Sequence, residues 1–430
     1  MGINPQSGSS KMKIDSIFIF LFLIIFPFGQ IIRIGILQPI DFIVGLAAVY
    51  TIVKKLETPQ VFKYLGLFII FALFSWLFSI FIFRQIEVLY GLLYMFRLTA
   101  YYFFGIYVWN FAKQNMKLPR PYGRGIFSQA SSGAESLRSE TLRSDSRAYA
   151  LGVSRSVIKN KKLLISSLLG VSVISALFGW IQFFMVPDIK ALFIYGWDMH
   201  LFRLVGTFLD PTFLGLIIVF GLLLSIYRYI DSWSWRNASI TIFLLISLAF
   251  TYSRASYLAF IAGVLTIIYF KKKYKKLIFL VVGLATVTLL LPTAKNHSIE
   301  LFRTFSAFAR IDNYKTTLQI FSKSPVFGIG YNNMCIAYQK YIGVQDFASH
   351  ACSGSDSSLL LVLTTMGVTG FIVFVSSITK TVISSKHDSY SIILSSCFVA
   401  LLIHSLFSNS MFYSWIMGYF AILLSVSLKE

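Results

Sequence analysis

The chain has 430 residues, of which 57% are hydrophobic and only 13% are charged. Soluble domains of this size are not so apolar, so the composition excludes a soluble enzyme and indicates a membrane protein. The formal net charge of +21 fits basic loops on one side of a membrane, and it does not indicate a nucleic-acid partner.

Apolar runs long enough to cross a bilayer recur along the whole chain. Backbone groups in hydrocarbon must be satisfied within the segment, so these runs predict helices. The sequence predicts an all-α polytopic membrane protein with about twelve transmembrane helices. They lie near residues 16–36, 40–54, 64–83, 88–112, 163–185, 211–229, 237–252, 255–270, 277–292, 357–378, 390–407 and 411–427.

The distribution of Lys and Arg predicts the orientation of these spans. If the N-terminus is cytoplasmic, most of the 38 Lys and Arg residues fall in or beside cytoplasmic segments. Both termini are therefore expected on the cytoplasmic side. The first span is long and has no clear cleavage site, so it is expected to remain as an anchor.

The spans and loops divide the chain into five parts. The Ser- and Arg-rich loop at 113–162 has low hydrophobicity, which predicts disorder. It is either a solvated linker or a segment attracted to anionic headgroups. A large outer loop is expected at 293–356. The remaining parts are an N-terminal bundle at 1–112, spans at 163–292 and C-terminal spans at 357–430.

Asp210 and Pro211 stand directly before an apolar run. Asp accepts hydrogen bonds from free N–H groups at a helix start, and Pro suits the first helical position. The pair therefore predicts the start of the sixth span. Arg203, seven residues earlier, has two interpretations. Together with the positive end of the helix it can form an anion site, or it can reach lipid headgroups.

Two more arginines fall on the expected outer side, where positive residues should be scarce. Arg254 follows Ser253, which is expected to cap the eighth span. Arg310 lies in ELFRTFSAFARIDNYKTTLQIF (300–321), whose apolar spacing predicts a helix of about twenty residues. Arg303 and Arg310 are seven residues apart, which places them on one face of that helix.

Three outer arginines suit a diphosphate, because guanidinium groups bind phosphate oxygens bidentately. The loop helix is expected to end in a turn rich in Pro and Gly, at Pro325, Gly328 and Gly330. Three cysteines provide no metal-binding framework. Cys335 and Cys352 share the outer loop, so they either form a disulfide or remain thiols.

Arg97 interrupts the fourth span. A centred arginine costs about 2.5–3.5 kcal/mol on the insertion scale, so it should face the interior of the bundle. It is either structural or part of a substrate path.

Four stretches together resemble the O-antigen ligase and polymerase family of integral-membrane glycan transferases in the bacterial envelope. The resemblance covers roughly 160–380. The stretches are RLVGTFLDPTFLG at 203–215, TYSRASYLAF at 251–260, RIDNYKTTLQIFSKSPVFGIGY at 310–331 and GVTGF at 367–371.

The resemblance implies a donor glycan on a polyprenyl diphosphate, most simply undecaprenyl diphosphate. The glycan would move to an acceptor hydroxyl of lipid A core or of another repeat unit, without a metal or other cofactor. Arg203, Arg254 and Arg310 would bind the diphosphate. The site would face the extracytoplasmic side of the bacterial plasma membrane.

Ligases of this family also carry a histidine, then Asn, Ser or Gln, then nine residues and G-x-x-G. Here Gly367 and Gly370 form the G-x-x-G, and counting back places Asp356 at the histidine position. His350 comes six residues too early. Asp356 is the candidate base or orienting group, with His350 as a candidate if the loop bends. Asp356 can alternatively be a helix cap. The absence of a histidine at this position of the ligase pattern favours a polymerase or another glycan transferase over a strict lipid A-core ligase.

A transporter or flippase of lipid-linked glycan is the main alternative. Transporters place ionisable residues and broken helices near the membrane midplane, whereas the sequence shows little besides Arg97 there. A membrane scaffold would not require the three outer arginines.

Overall fold

The computed structural model describes residues 9–32, 37–84, 86–113, 134–195, 198–232, 234–272, 274–291, 305–343, 354–384 and 389–428. Within these ranges α-helices dominate, and the β structure consists of isolated bridges, such as the one between Asp188 and Leu201. The all-α class predicted from the sequence is confirmed for this part of the chain.

Fourteen α-helices lie in the described ranges, in an order that follows the apolar runs. They are α1 Ser9–Ile25, α2 Pro39–Val53, α3 Gln60–Phe83, α4 Tyr90–Lys113, α5 Ala134–Met185, α6 Pro211–Asp231, α7 Trp235–Phe250, α8 Arg254–Lys271, α9 Tyr274–Leu290, α10 Phe305–Phe321, α11 Met334–Ile342, α12 Ser358–Ile383, α13 Ser389–His404 and α14 Ser414–Ser427.

Five of the described helices are long and apolar enough to cross a membrane. They are α3, the Val157–Met185 part of α5, α6, α8 and α12. Shorter apolar helices include α2, α7, α13 and α14. Each predicted span overlaps one helix, while the count of about twelve spans and the orientation stay predictions.

Helix α5 differs from the sequence-based expectation. It begins at Ala134, inside the 113–162 loop that was predicted to be disordered; residues 114–133 lie outside the described part. Helix formation is cooperative, and each added residue extends an existing ladder at little further cost. The apolar part of α5 therefore supports a polar extension that composition alone does not predict.

Helix α6 is the most enclosed of the five long apolar helices, with 83% of its apolar stretch buried. It packs against α5, α7, α8 and α13. Small residues permit these close approaches. A Cβ added at Gly215 would lie 2.4 Å from the Ser256 Oγ atom, and one at Gly221 would lie 2.4 Å from the Ser172 Cβ atom.

Helix α12 is broken at Gly367, whose φ of 69° and ψ of −177° are not helical. The segment 324–330 lies beside the break and bonds to the backbone groups that it releases. The bonds run from Ile329 N to Thr364 O (3.1 Å), from Gly330 N to Thr365 O (2.8 Å) and from Val368 N to Pro325 O (2.9 Å). The break is therefore closed by protein, as a break in hydrocarbon requires.

The break explains Gly367 of the GVTGF stretch. A Cβ at Gly367 would lie 2.2 Å from the Val326 carbonyl oxygen, and one at Gly328 would lie 2.4 Å from the Met366 backbone nitrogen. Gly328 and Gly330 also have positive φ. The predicted turn after the loop helix is confirmed.

Candidate functional site

One end of the helix bundle carries most of the residues selected from the sequence. At this end, called the site end below, α6, α8 and α12 begin and α7 and α13 finish. Backbone bonds join the neighbouring loops: Leu204 N donates to Phe250 O at 3.0 Å, and Ser358 N donates to Ser405 O at 2.9 Å.

Asp210 caps α6, as its position before Pro211 predicts. Its Oδ1 atom accepts hydrogen bonds from the backbone N–H groups of Thr212 and Phe213. Burial raises the pKa of Asp210, and the nearby charge of Asp198 raises it further. The capping interpretation is confirmed.

Arg203 is buried, with 3% of its surface exposed. Its Nε atom donates to the Thr251 carbonyl at 2.9 Å and its Nη2 atom donates to the Tyr252 carbonyl at 3.1 Å. His200 Nδ1 lies 3.5 Å from Nη1. The guanidinium thus holds the turn that follows α7. Neither sequence interpretation foresaw this contact, because the partners lie 48 and 49 residues away.

Ser253 caps α8, as the sequence predicts, by accepting from the Ser256 backbone N–H. Arg254 is the first residue of α8 and is half-buried. The turn held by Arg203 therefore leads directly into Arg254.

Arg310 comes from α10, which confirms the predicted helix in the long loop. It is half-buried and close enough to Arg254 for the two positive charges to repel each other. The positive charge of Arg310 also acts on His404. Arg254 and Arg310, 56 positions apart in the sequence, are therefore neighbours at the site end. Arg303, the expected partner on the same helix face, lies outside the described residues.

His404 was not selected from the sequence. It is fully buried at the end of α13. Its Nδ1 atom lies 2.6 Å from the Ser410 Oγ atom, and its Nε2 atom lies 3.4 Å from the Ser256 Oγ atom. The only sequence signal is a histidine at the end of an apolar run, before SLFSNS (405–410). This signal does not separate a packing role from a chemical one.

Asp356 lies just before α12, but Ser357 is the residue that caps this helix, by accepting from the Leu360 N–H. The backbone N–H of Asp356 donates to Asn313 Oδ1 at 2.9 Å. Asn313 Nδ2 lies 3.5 Å from the Tyr338 hydroxyl. The cap interpretation for Asp356 is therefore wrong, and α10 fixes the position of this residue through Asn313.

Tyr314 connects Asp356 with Arg310. Burial raises the pKa of Tyr314, the charge of Arg310 lowers it, and the charge of Asp356 raises it again. Arg310 and Tyr314 are four residues apart and so share a face of α10. The charges of Asp356 and Arg310 therefore act on the same tyrosine.

His350 and Cys352 lie outside the described residues. Cys335 is disulfide-bonded, whereas Cys397 is buried with a free thiol.

Arg97 has a structural role in the described part of the chain. Its Nη2 atom lies 2.8 Å from the Asp41 Oδ2 atom, and both side chains are largely buried. Asp41 also accepts from the Tyr101 hydroxyl at 3.1 Å and from the Gln38 backbone N–H at 3.2 Å. Asp41 is the partner that the sequence analysis missed, and the ion pair removes the need for Arg97 to face an aqueous path.

Comparison with known proteins adds one finding. The sequence model of the O-antigen ligase family matches residues 239–375, roughly a third of the chain, and this segment includes Arg254, Arg310 and Asp356. The match ends before His404, and Arg203 precedes it. No curated protein matches the chain. The resemblance predicted from the sequence is confirmed over this segment, which matches the O-antigen ligase family.

Proposed function

We propose that this protein transfers a glycan from a polyprenyl-diphosphate-linked donor to an acceptor hydroxyl at the site end of the bundle. Arg254 and Arg310 bind the diphosphate, and Asp356 receives the proton of the acceptor hydroxyl. The family match supports glycan transfer in general. The proposal adds the identity of the donor, the roles of these residues and a chemistry that needs no metal.

The observation that carries the proposal is that the positive charge of Arg310, on α10, acts on Arg254 at the start of α8. Two guanidinium groups that repel each other gain from an anion placed between them. A diphosphate offers oxygens on two phosphorus atoms and can bind both groups bidentately. Half-burial lowers the local dielectric and so strengthens such contacts relative to bulk water.

The reaction can be written with these groups. The acceptor oxygen forms a bond to the anomeric carbon of the donor sugar, and the bond from that carbon to the diphosphate oxygen breaks. The electron pair stays on the diphosphate, where the two arginines offset the growing negative charge. The hydroxyl proton moves to the Asp356 carboxylate.

Arg203 supports this site through the backbone. It holds the Thr251 and Tyr252 carbonyls, and this fixes the turn that leads into Arg254. The contacts favour a positioning role over direct diphosphate binding. His350 stays a second candidate base and requires a separate test.

The proposed topology has about twelve spans with both termini in the cytoplasm. The site end then faces the extracytoplasmic side of the bacterial plasma membrane. The bias of Lys and Arg toward the opposite side supports this orientation. The partners are the lipid-linked donor, a glycan or glycolipid acceptor and membrane lipid; no nucleic acid takes part.

Reconstitution in liposomes with a lipid-linked oligosaccharide tests the proposal. Wild-type protein should release polyprenyl diphosphate and extend the acceptor glycan. Three variants should fold normally but should no longer release polyprenyl diphosphate. They are Arg254→Ala, Arg310→Ala and Asp356→Asn. Arg84→Asn is a matched control, because Arg84 is an exposed arginine at the end of α3.

Two results would contradict the proposal. Movement of intact glycan lipid across the bilayer without cleavage would identify a transporter. Equal loss of release in Arg84→Asn would show that any reduction of positive charge has the same effect. His350→Gln, run in parallel, decides between the two candidate bases.

A further inference from the structure

A short polar stretch at the site end, residues 404–411, forms most of the connection between α13 and α14. Its sequence is HSLFSNSM, and it separates two apolar helices. The family model ends at residue 375, so this stretch lies outside the matched part of the chain. It is called the 404–411 segment below, and it forms hydrogen bonds with α8, α10 and α12.

The first contact is with the start of α8, through His404. The His404 Nε2 atom lies 3.4 Å from the Ser256 Oγ atom. Ser256 is fully buried, comes two residues after Arg254, and its Oγ atom lies 2.8 Å from that of the helix cap Ser253. His404 also forms a hydrogen bond with the Thr212 backbone at the start of α6. The imidazole therefore contacts the helical turn that carries Arg254.

The other ring nitrogen of His404 contacts the segment itself. Its Nδ1 atom lies 2.6 Å from the Ser410 Oγ atom, and both side chains are fully buried. A neutral imidazole donates with one nitrogen and accepts with the other. One ring can therefore connect the start of α8 to the far part of the 404–411 segment.

The second contact is with the start of α12, through Ser358, which is fully buried and comes two residues after Asp356. Its backbone N–H donates to the Ser405 carbonyl at 2.9 Å, and its Oγ atom accepts from the Met411 backbone N–H at 3.1 Å. The Ser357 hydroxyl also donates to the Ser405 carbonyl, at 3.0 Å. That carbonyl therefore keeps one partner when the Ser357 hydroxyl is removed, whereas the Met411 N–H depends on Ser358.

The third contact is with α10. The Tyr314 hydroxyl donates to the Leu406 carbonyl. Tyr314 lies one turn after Arg310, on the same face of α10. The 404–411 segment is therefore bonded next to each of the three residues that the proposed function uses.

We propose that the 404–411 segment fixes the separation between the two arginines and Asp356, with His404 as the positioning residue that connects the segment to the helix of Arg254. This inference rests on the proposed function for the roles of these residues. The arginines determine where the diphosphate and its attached sugar lie, and Asp356 determines where the acceptor hydroxyl lies. A displacement of about 1 Å between reacting groups can lower a rate about 10²-fold.

Transfer kinetics of the full-length protein in liposomes, with a lipid-linked oligosaccharide, test the inference. His404→Leu removes both imidazole contacts and should lower kcat about 10²-fold. Its thermal shift with methylenediphosphonate, a diphosphate analogue, should equal that of wild type, because both arginines remain. His404→Gln should recover most of the lost rate, because an amide also donates and accepts; it replaces His404→Leu if that variant does not fold.

Ser358→Ala tests the opposite end of the segment. It should also lower kcat and keep the methylenediphosphonate shift. The double variant His404→Leu/Ser358→Ala should be no slower than the slower single variant, because two residues that act through one element are not additive. Additive losses would show that the two residues act separately, and would overturn the inference.

Thr241→Val is the matched control. It removes a buried hydrogen bond between α7 and Ser225 of α6, nine residues before the end of α7. It should lower the melting temperature and keep kcat. An equal loss of kcat in this variant would show an effect of stability alone.

Hydrogen exchange on the same preparations separates failure of the inference from failure of the proposed function. His404→Leu should raise exchange at both 254–258 and 356–361, and Thr241→Val should raise neither. Unchanged exchange and kcat in a variant of an active protein reject the inference alone. Raised exchange at both places, in a protein whose wild type transfers no glycan, rejects the proposed reaction and retains the connection through the segment.

Discussion

The Nε atom of Arg203 donates to the Thr251 carbonyl at 2.9 Å, which joins the loop before α6 to the turn that carries Arg254. Hydrogen bonds to charged groups contribute about 1.5–3 kcal/mol each when buried. Arg203→Met should therefore lower the apparent melting temperature in detergent by several degrees and weaken diphosphate binding indirectly. Direct diphosphate binding by Arg203 would instead leave the melting temperature of the ligand-free protein unchanged.

Methylenediphosphonate should stabilise the wild-type protein, because it binds between Arg254 and Arg310 in the folded state only. Arg254→Ala and Arg310→Ala should each abolish this thermal shift, and high salt should weaken it. Arg84→Asn should keep the full shift. A shift that survives in both single variants would show that the anion binds elsewhere.

Asp356 and Ser357 form a matched pair at the start of α12. Asp356→Asn should reduce the transfer rate by about 10²–10⁴-fold, the range for loss of a general base, with no change in melting temperature. Ser357→Ala should lower stability by about 1 kcal/mol through loss of the cap and retain transfer. If Asp356→Asn lowered the melting temperature and retained transfer, Asp356 would have a structural role and not a catalytic one.

Asp210 should give the protein a pH-dependent stability. Its pKa is raised by burial, so the folded state binds more protons than the unfolded state between the ordinary and the raised pKa. Stability contributed by this group is then highest at acid pH and falls as pH rises through that window. Asp210→Asn, which caps equally well, should show a smaller decrease when melting is followed across the acid range.

Gly367→Ala should be among the most damaging single changes. Its backbone, with φ of 69° and ψ of −177°, lies in a region essentially restricted to glycine, which costs other residues roughly 1–3 kcal/mol, and the added Cβ would lie 2.2 Å from the Val326 carbonyl oxygen. Gly170→Ala in α5 is the control, because a Cβ there has open space and alanine favours a helix by about 1 kcal/mol. Fluorescence-detected size-exclusion chromatography of both variants measures the difference. Normal folding of Gly367→Ala would mean that the break is not required.

Local signals predicted most of the helix boundaries at the site. Asp210 before Pro211, Ser253 before Arg254, and the apolar spacing of α10 all depend on residues within one or two turns of each other. The structure places each of them as the pattern predicts.

Contacts between distant segments could not be predicted in the same way. The carbonyl partners of Arg203, the ion pair between Arg97 and Asp41, and the approach of Arg310 to Arg254 depend on tertiary packing. The local signal at His404 is not decisive, because a buried histidine at a helix end has the same sequence context whether or not it contacts a site. Asp356 and Ser357 are both good capping residues, and only the backbone geometry identifies Ser357 as the cap.

The closed break in α12 has a consequence for protein engineering. The segment 324–330 and the residues around Gly367 are about forty positions apart, yet they share one hydrogen-bonded unit. Loop exchange between this chain and a related protein should therefore succeed only when both segments come from the same parent. A chimera that replaces 305–330 alone would leave the released backbone groups of α12 without matching partners inside the membrane.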